Sequence, residues 1–454
     1  MLSFGVMITA EDFSTYTLSH HPQGAAIQRI LAAAIQAVEP GEAVRRWAAL
    51  NGDILRIGEY EYDLRKIDRI FLIGIGKAAP AMTAAMHHII GEKVSGGLIV
   101  AKFIPLDHSV NLPMLESGHP IPDERSLLAG EKIFKLLENV QATDLVICLI
   151  SGGGSALVSC PQLGISLADI QTLNSQLLAC GARIDEINTL RRQLDRIKGG
   201  GLAQAAAPAQ VVSLILSDVV GDPLEAIASG LTVADPTNRK DALEIFEKYQ
   251  LSDKVPASVL DFLKSDSSEE KPVGSDFEKV HNLIVGNNLM AAQAALSQAR
   301  QEGFNTYLLR TDLQGEAREV AHELCNTLRW AWHRADPVER PACILAGGET
   351  TVSLQGQGCG GRNLELALSA VTDLADFPDV MLVTLATDGE DGVTDGAGAV
   401  VTGATFARAA TLGMQPEISL KQNDSYTFFS VLDDVLKPGP TGTNVNDMTL
   451  LFTF

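Results

Sequence analysis

The residues of this chain that could do chemistry sit where apolar runs end. Lys77 follows "IDRIFLIGIG", with Gly74 and Gly76 just before it. Ser151, Gly152, Gly153, Gly154 and Ser155 follow "DLVICLI". Asp218 and Asp222 follow "AQVVSLIL", in a loop that runs on through Ser229, Gly230, Thr232 and Asp235. Glu349 and Thr350 follow "ACILAGG", and Arg362, Asn363 and Glu365 come after "GCGG". Asp388, Asp391 and Asp395 share "TDGEDGVTDG", and Gly439 to Asp447 read "GPTGTNVND".

Each group has a plain structural reading and a chemical one. Gly74-Ile75-Gly76 makes a tight turn between strand and helix. Glycine costs order on folding, so a triplet needs a reason: a left-handed turn, or a backbone whose N–H groups approach an anion. Lys77 at a helix start opposes the helix dipole, which points to an anion nearby or to a solvated side chain. Arg362 is either one half of a surface pair or a planar clamp for phosphate or carboxylate. Asp388, Asp391 and Asp395 cap helices and turns, or suit a hard, oxygen-seeking cation. Six polar, Gly-rich strand ends together exceed what turns alone require.

Several familiar sites are excluded. Gly76-Lys77 is followed by Ala78, so the nucleoside-triphosphate loop that ends in a hydroxyl is absent. Leu157 stands where the G-x-S-x-G elbow needs its last glycine. The nine histidines show no metal spacing. Gly74, Gly76 and Ala79 half-match a dinucleotide fingerprint, but the next strand ends in Lys102, where an acid should meet the ribose. What remains is glycine cradles, one or two cations and several carboxylates, the components of phosphoryl transfer.

These residues need a scaffold that aligns strand ends. "IDRIFLIGIG", "GGLIVAK", "DLVICLI" and "AQVVSLILSDV" read as strands, and "KAAPAMTAAMHHII" and "ERSLLAGEKIFKLLENV" as helices. "LADIQTLNSQLLACGA" reads as the helix that the triple glycine leads into. "GAAIQRILAAAIQAVEP" places Ile27, Leu31, Ile35 and Val38 on one helical face, and residues 1–22 read as a loose extension. This alternation predicts an α/β fold with a parallel sheet covered on both faces. Ser, acid, Lys and Pro dominate residues 263–279, the expected linker. A second series begins at "VHNLIVG" and ends in a helix, a Gly/Pro loop and a final strand. The expected domains are 1–265 and 275–454.

The chain has 454 residues, 46% of them hydrophobic, enough for two cores. Its net charge of −21, with no Lys/Arg run, argues against nucleic acid and anionic membrane as partners. Six scattered cysteines without a C-x-x-C pair fit a reduced, cytoplasmic chain. No apolar stretch reaches membrane length, and the first residues lack the basic start of a signal peptide.

In order along the chain, "GIGKAAPAM", "SGGGSAL", "NTLRRQLDRIKGGGLA", "SDVVGD", "GGETTVSLQGQGCGGRNLELAL", "TDGEDGVTDGAGAVV" and "GPTGTNVND" resemble the class II glycerate 2-kinases, whose C-terminal part is the MOFRL domain. The resemblance runs from about residue 24 to the end. It implies two α/β domains, the first Rossmann-like, with the active site in the cleft between them. It also implies ATP- and Mg²⁺-dependent phosphorylation of D-glycerate at its 2-hydroxyl. Some members of that family carry the label hydroxypyruvate reductase, so an NAD(P)H-dependent reduction is the alternative, and a non-catalytic nucleotide-binding module is a third reading.

The family's lysine corresponds to Lys77 and the arginine of its G-G-R-N motif to Arg362. These two are expected to supply positive charge to the transferring phosphoryl. Asp218 or Asp222 is expected to orient the glycerate hydroxyl, and Asp388 and Asp391 to hold Mg²⁺; the two pairs are interchangeable at this level. Gly74, Gly76, Ser151 to Ser155, Lys198, Glu349, Asn363, Thr441 and Asn444 complete the expected binding set. The turn at Gly152–Ser155 would hold either ATP phosphate or the glycerate carboxylate. A monomer or small homo-oligomer is expected. The chain departs from the family pattern at Leu231, Cys359, Leu364, Ala386 and Val393.

Overall fold

The computed structural model describes residues 8–105, 110–265 and 277–454. Most of the expected linker, residues 266–276, lies outside the described residues, as do residues 1–7 of the expected N-terminal extension. The chain forms two compact units, Pro40–Val285 and Met1–Glu39 with Gly286–Phe454.

The unit Pro40–Val285 opens with a small antiparallel sheet of β1 (Ala48–Asn51), β2 (Ile54–Ile57) and β3 (Tyr60–Asp63). Its main sheet contains β4 (Ile70–Ile75), β5 (Val94–Ala101), β6 (Met114–Glu116), β7 (Leu145–Ile150), β8 (Gln210–Leu216) and β9 (Val280–Gly286). The strand order is β6-β5-β4-β7-β8-β9, and β4 pairs parallel with both β5 and β7. Every residue of β4 and β7 is buried, which is why both read as unbroken apolar runs rather than alternating ones. Ile73, Ile75, Cys148, Ile150 and Ile215 join one core with Ile133 and Leu137 of the helix Glu124–Leu137. The chain winds to one side of β4 through β5 and β6, then crosses to the other through β7. The β4–β7 boundary is therefore a topological switch point, where open α/β sheets leave a crevice at the carboxyl ends.

Helices Leu167–Ala179, Ile184–Leu194, Arg239–Lys248 and Ala257–Lys264 build a separate apolar cluster around Leu177, Leu190 and Phe246. The triple glycine does not lead straight into Leu167–Ala179. It opens a four-residue helix, Gly154–Leu157, and the longer helix starts at the Ser166 cap.

The other unit holds a six-stranded sheet of β10 (Asn305–Leu313), β11 (Ala342–Gly348), β12 (Val380–Ala386), β13 (Gly398–Thr402), β14 (Val435–Leu436) and β15 (Asp447–Thr453). Its order is β10-β11-β15-β12-β13-β14, so the final strand lies inside the sheet. β15 runs antiparallel to both β11 and β12, which makes this sheet mixed. The helix Gly24–Gln36 packs on Asn288–Gln301 in the same unit.

Three expectations change. "VHNLIVG" is β9, the edge of the first sheet, and does not begin the second series. Residues 1–39 group with the C-terminal half, so the division differs from 1–265 and 275–454. Residues 10–20 are not loose: Phe13 is buried, and Thr17 donates through its N–H and its hydroxyl to Asp434, each at 2.8 Å. Periodicity reports that a segment is buried, not which distant segment buries it.

Candidate active site

The loops after β4 and β7 are joined at the switch point. The Lys77 N–H donates to Gly152 O at 3.0 Å, and the Ser151 N–H donates to Ile75 O at 3.0 Å. The Ser151 hydroxyl accepts the Ala78 N–H at 3.0 Å, so this expected binding residue ties the two loops together. Gly76, at φ +133°, makes that approach possible, since a Cβ there would lie 2.2 Å from Ser151 Oγ. Gly74 lies within β4 and faces Thr83 of the next helix.

The three glycines have separate physical reasons. A Cβ on Gly152 would lie 1.9 Å from Asp218 Oδ2, so the bare backbone leaves room for that carboxylate. Gly153 caps the short helix in left-handed backbone, φ +84°, and passes beside His119 and Lys77. Gly154 meets Ala228, which with Ser229 holds a left-handed conformation unusual for residues with a side chain, φ +49° and +59°. Ser155 Oγ and Ser229 Oγ share a hydrogen bond of 2.7 Å.

The result is a compact group of Lys77, His119, Asp218 and the Gly152–Ser155 turn. Burial, reinforced by Lys77 and Lys102, holds the His119 imidazole down at about 4, so the ring is neutral at pH 7. Burial raises the Asp218 carboxyl above its ordinary value, while Lys77 pulls the other way. A carboxylate poised upward beside a cation is the usual setting of a general base. Asp222 lies further along the same loop, in left-handed backbone with its N–H donating to Val219 O at 3.0 Å. Lys198 is buried in an ion pair with Asp195 and donates to Val158 O at 3.0 Å. Asp195 also accepts the Ser159 hydroxyl at 2.7 Å.

In the other unit, β11 and β12 end opposite the start of β15: Gly348 and Ala386 both register with Asp447. Three loops therefore meet at Asp447. Arg362 begins the helix Arg362–Asp373 and donates to Asp447 through Nε and, at 3.2 Å, through Nη2. Its Nη1 lies 3.1 Å from Glu349 Oε1. The guanidinium thus spans two carboxylates and lines an open groove with Gly358, Gly360 and Gly361. Burial pushes the Asp447 carboxyl up to about 6 despite Arg362.

Asp391 caps this helix. Its oxygens accept the Asn363 N–H at 3.2 Å and the Leu364 N–H at 2.8 Å, and burial pushes its carboxyl up to about 7. Asn363 is buried beside it. Asp388 is half-buried, and its carboxylate accepts the Glu390 N–H at 3.2 Å. Thr441 donates its hydroxyl to Thr387 O at 2.6 Å, and the Asn444 side chain accepts the Asn446 N–H at 3.0 Å, so both shape the loop before β15. Among the described residues no cluster of three or more His, Cys, Asp or Glu side chains could hold a metal ion. A Mg²⁺ ion that arrives on phosphates needs only one or two carboxylates.

Sequence reasoning missed His119 and Asp447 as members of these groups. His119 follows a three-residue edge strand too short to be read as one. Asp447 looked like the end of a loop and is the first residue of β15.

Cations and carboxylates held on glycine cradles at strand ends define a class: an α/β enzyme that handles small anions. Residues 26–264 match the domain of unknown function DUF4147, and residues 342–447 match the MOFRL family. The chain is 38% identical to the glycerate 2-kinase of Pyrococcus horikoshii over 93% of its length and 95% of that protein. It is 40% identical to a putative hydroxypyruvate reductase of Agrobacterium vitis, over 84% of this chain and 86% of that one. The crystal structure of a glycerate kinase from Thermotoga maritima superposes with a TM-score of 0.84 at 37% identity, covering 94% of this chain and 98% of that one. This chain belongs to the glycerate kinase family.

Proposed function

We propose that this enzyme transfers the terminal phosphoryl group of ATP to the 2-hydroxyl of D-glycerate, giving 2-phosphoglycerate and ADP. The observation that carries the reading is the group at the β4–β7 switch point, where Lys77 and Asp218 meet over the Gly152–Ser155 turn. Asp218, rather than Asp222, is assigned to accept the hydroxyl proton, because it is the carboxylate packed against Gly152 and opposed by Lys77. Lys77 and Arg362 are assigned to the negative charge of the transferring phosphoryl. Bound Mg²⁺ would offset charge on the phosphates. Asp388 suits that ion better than Asp391, whose two oxygens already serve the helix start.

The reductase reading finds little support in these loops. β5 ends at Ala101 and is followed by Lys102, not by an acid for a ribose hydroxyl. A coupled assay decides between the two reactions by comparing ADP release on glycerate with NAD(P)H consumption on hydroxypyruvate. ADP release that needs both glycerate and Mg²⁺, with phosphate on the 2-hydroxyl, is the expected result. NADH oxidation without ATP use would remove the kinase reading, and pure 3-phosphoglycerate would remove the regiochemistry.

Two substitutions test the local geometry. Gly152→Ala places a methyl group on the Asp218 carboxylate, so kcat should fall at least roughly tenfold, given what small misplacements of a reacting group cost. Steady-state kinetics beside a melting curve separates this from unfolding; wild-type kcat would mean that Asp218 can move without consequence. Arg362→Lys keeps the charge but cannot span Asp447 and Glu349 together. A loss in kcat/KM of roughly tenfold or more is expected, and unchanged kinetics would reduce Arg362 to a point charge.

A further inference from the structure

Arg191 and Arg192 are neighbours on the helix Ile184–Leu194 with opposite circumstances. Arg192 is buried and paired with Asp235 at 2.8 Å. Arg191 is half-buried, and among the described residues no carboxylate lies within ion-pair distance of it. Among the described residues it donates to two amide oxygens, from Nε to Asn174 Oδ1 at 3.3 Å and from Nη1 to Asn188 Oδ1 at 3.5 Å. Desolvation alone acts on it and lowers its pKa, with no anion opposing. A guanidinium taken partly out of water without a counter-charge is costly.

Arg191 also lines a narrow recess that Ser155, the last residue of the glycine turn, lines as well. Lys198 and Asp195 line the recess too, but they are committed to each other. Leu173 and Leu177 supply an apolar side. The site therefore combines a planar cation without a carboxylate partner among the described residues, a hydroxyl and an apolar wall, beside the group that contains Asp218.

We propose that Arg191 binds the carboxylate of the small hydroxy-acid substrate and so selects acids over neutral polyols. The inference rests on the glycerate kinase reading and adds the group that recognises the acid end. A carboxylate is planar and three atoms wide and matches the guanidinium fork. A triphosphate is too bulky for so narrow a recess. This divides the anions between two places: the substrate carboxylate meets Arg191, and the phosphates meet the Lys77 side of the turn.

The test compares wild type, Arg191→Gln and Arg191→Lys in steady-state kinetics, with D-glycerate, glycerol and ATP each varied. Arg191→Gln should raise KM for glycerate about 10- to 100-fold, the scale of losing one charged hydrogen-bonded pair, and leave KM for ATP unchanged. The preference for glycerate over glycerol should shrink by the same factor. Arg191→Lys, which keeps the charge and guards against a glutamine variant that fails to fold, should fall between. Unchanged KM for glycerate in a folded variant overturns the proposal, and so does a rise confined to ATP. Thermal-shift titrations with sodium glycerate and with inorganic phosphate separate this proposal from the kinase reading. If wild type does not phosphorylate glycerate, that reading falls. The carboxylate site then stands only if glycerate stabilises wild type and not Arg191→Gln, and falls if the two respond alike.

Discussion

Asp218→Asn is expected to lower kcat by roughly 10²- to 10⁴-fold, the usual contribution of a positioned general base. The amide keeps the shape of the side chain, so the space beside Gly152 stays filled and the fold is retained. It cannot accept the proton of the glycerate hydroxyl. The pH profile carries the sign. Burial places the Asp218 carboxyl above its ordinary value of 3.8, and Lys77 opposes that shift. A base works only when deprotonated, so wild-type kcat should decline as pH falls through this raised pKa, and Asp218→Asn should lose that acidic limb. His119, already neutral above about 4, contributes no inflection between pH 5 and 8. A variant with the same limb and near-normal kcat would transfer the role to another carboxylate, with Asp222 the first to test.

Lys77→Ala is expected to cost roughly 2–4 kcal/mol in kcat/KM, by analogy with the loss of one preorganised transition-state donor. The Lys77 side chain is exposed, whereas its backbone N–H is the part that bonds Gly152 O. Alanine preserves that backbone bond, so the melting temperature should stay close to wild type. The cation beside Asp218 and His119 is removed as well. Asp218 should then rise further, and the acidic limb of the pH profile should move to higher pH, because a nearby positive charge favours the ionised carboxylate. The pair of readouts distinguishes a phosphate-facing lysine from a structural one. Early melting with normal specific activity would assign Lys77 to the fold.

Much of the site was legible because its chemistry is written at strand ends. β4 and β7 are unbroken apolar runs and β8 is apolar but for Gln210 and Ser213, and each ends in the polar loop that carries Lys77, Ser151–Ser155 or Asp218. Parallel strands with short turns must present those ends together, so their convergence followed from the pattern itself. The roles of individual residues were less legible. Ser151, Thr441 and Asp391 have the types that bind ligands, yet they spend their hydrogen bonds on loop and helix backbone. Residue type and spacing do not reveal which acceptor reaches a donor first.

By itself, then, the amino-acid sequence determined the α/β class, the four strands β4, β5, β7 and β8 of the main parallel sheet and the glycine-flanked charges at their ends. Local burial is encoded in local periodicity, and these features are local. The tertiary structure alone decided that β9 returns to the edge of the first sheet and that residues 10–36 pack with the C-terminal half. It also decided that β15 inserts antiparallel between β11 and β12, which carries Asp447 to Arg362 across 85 residues. The same holds for His119 beside Lys77 and for Arg191 and Ser155 in one recess. Each of these is a pairing between distant segments, and an apolar or charged residue can satisfy its local pattern against many partners. Only the packed chain selects one.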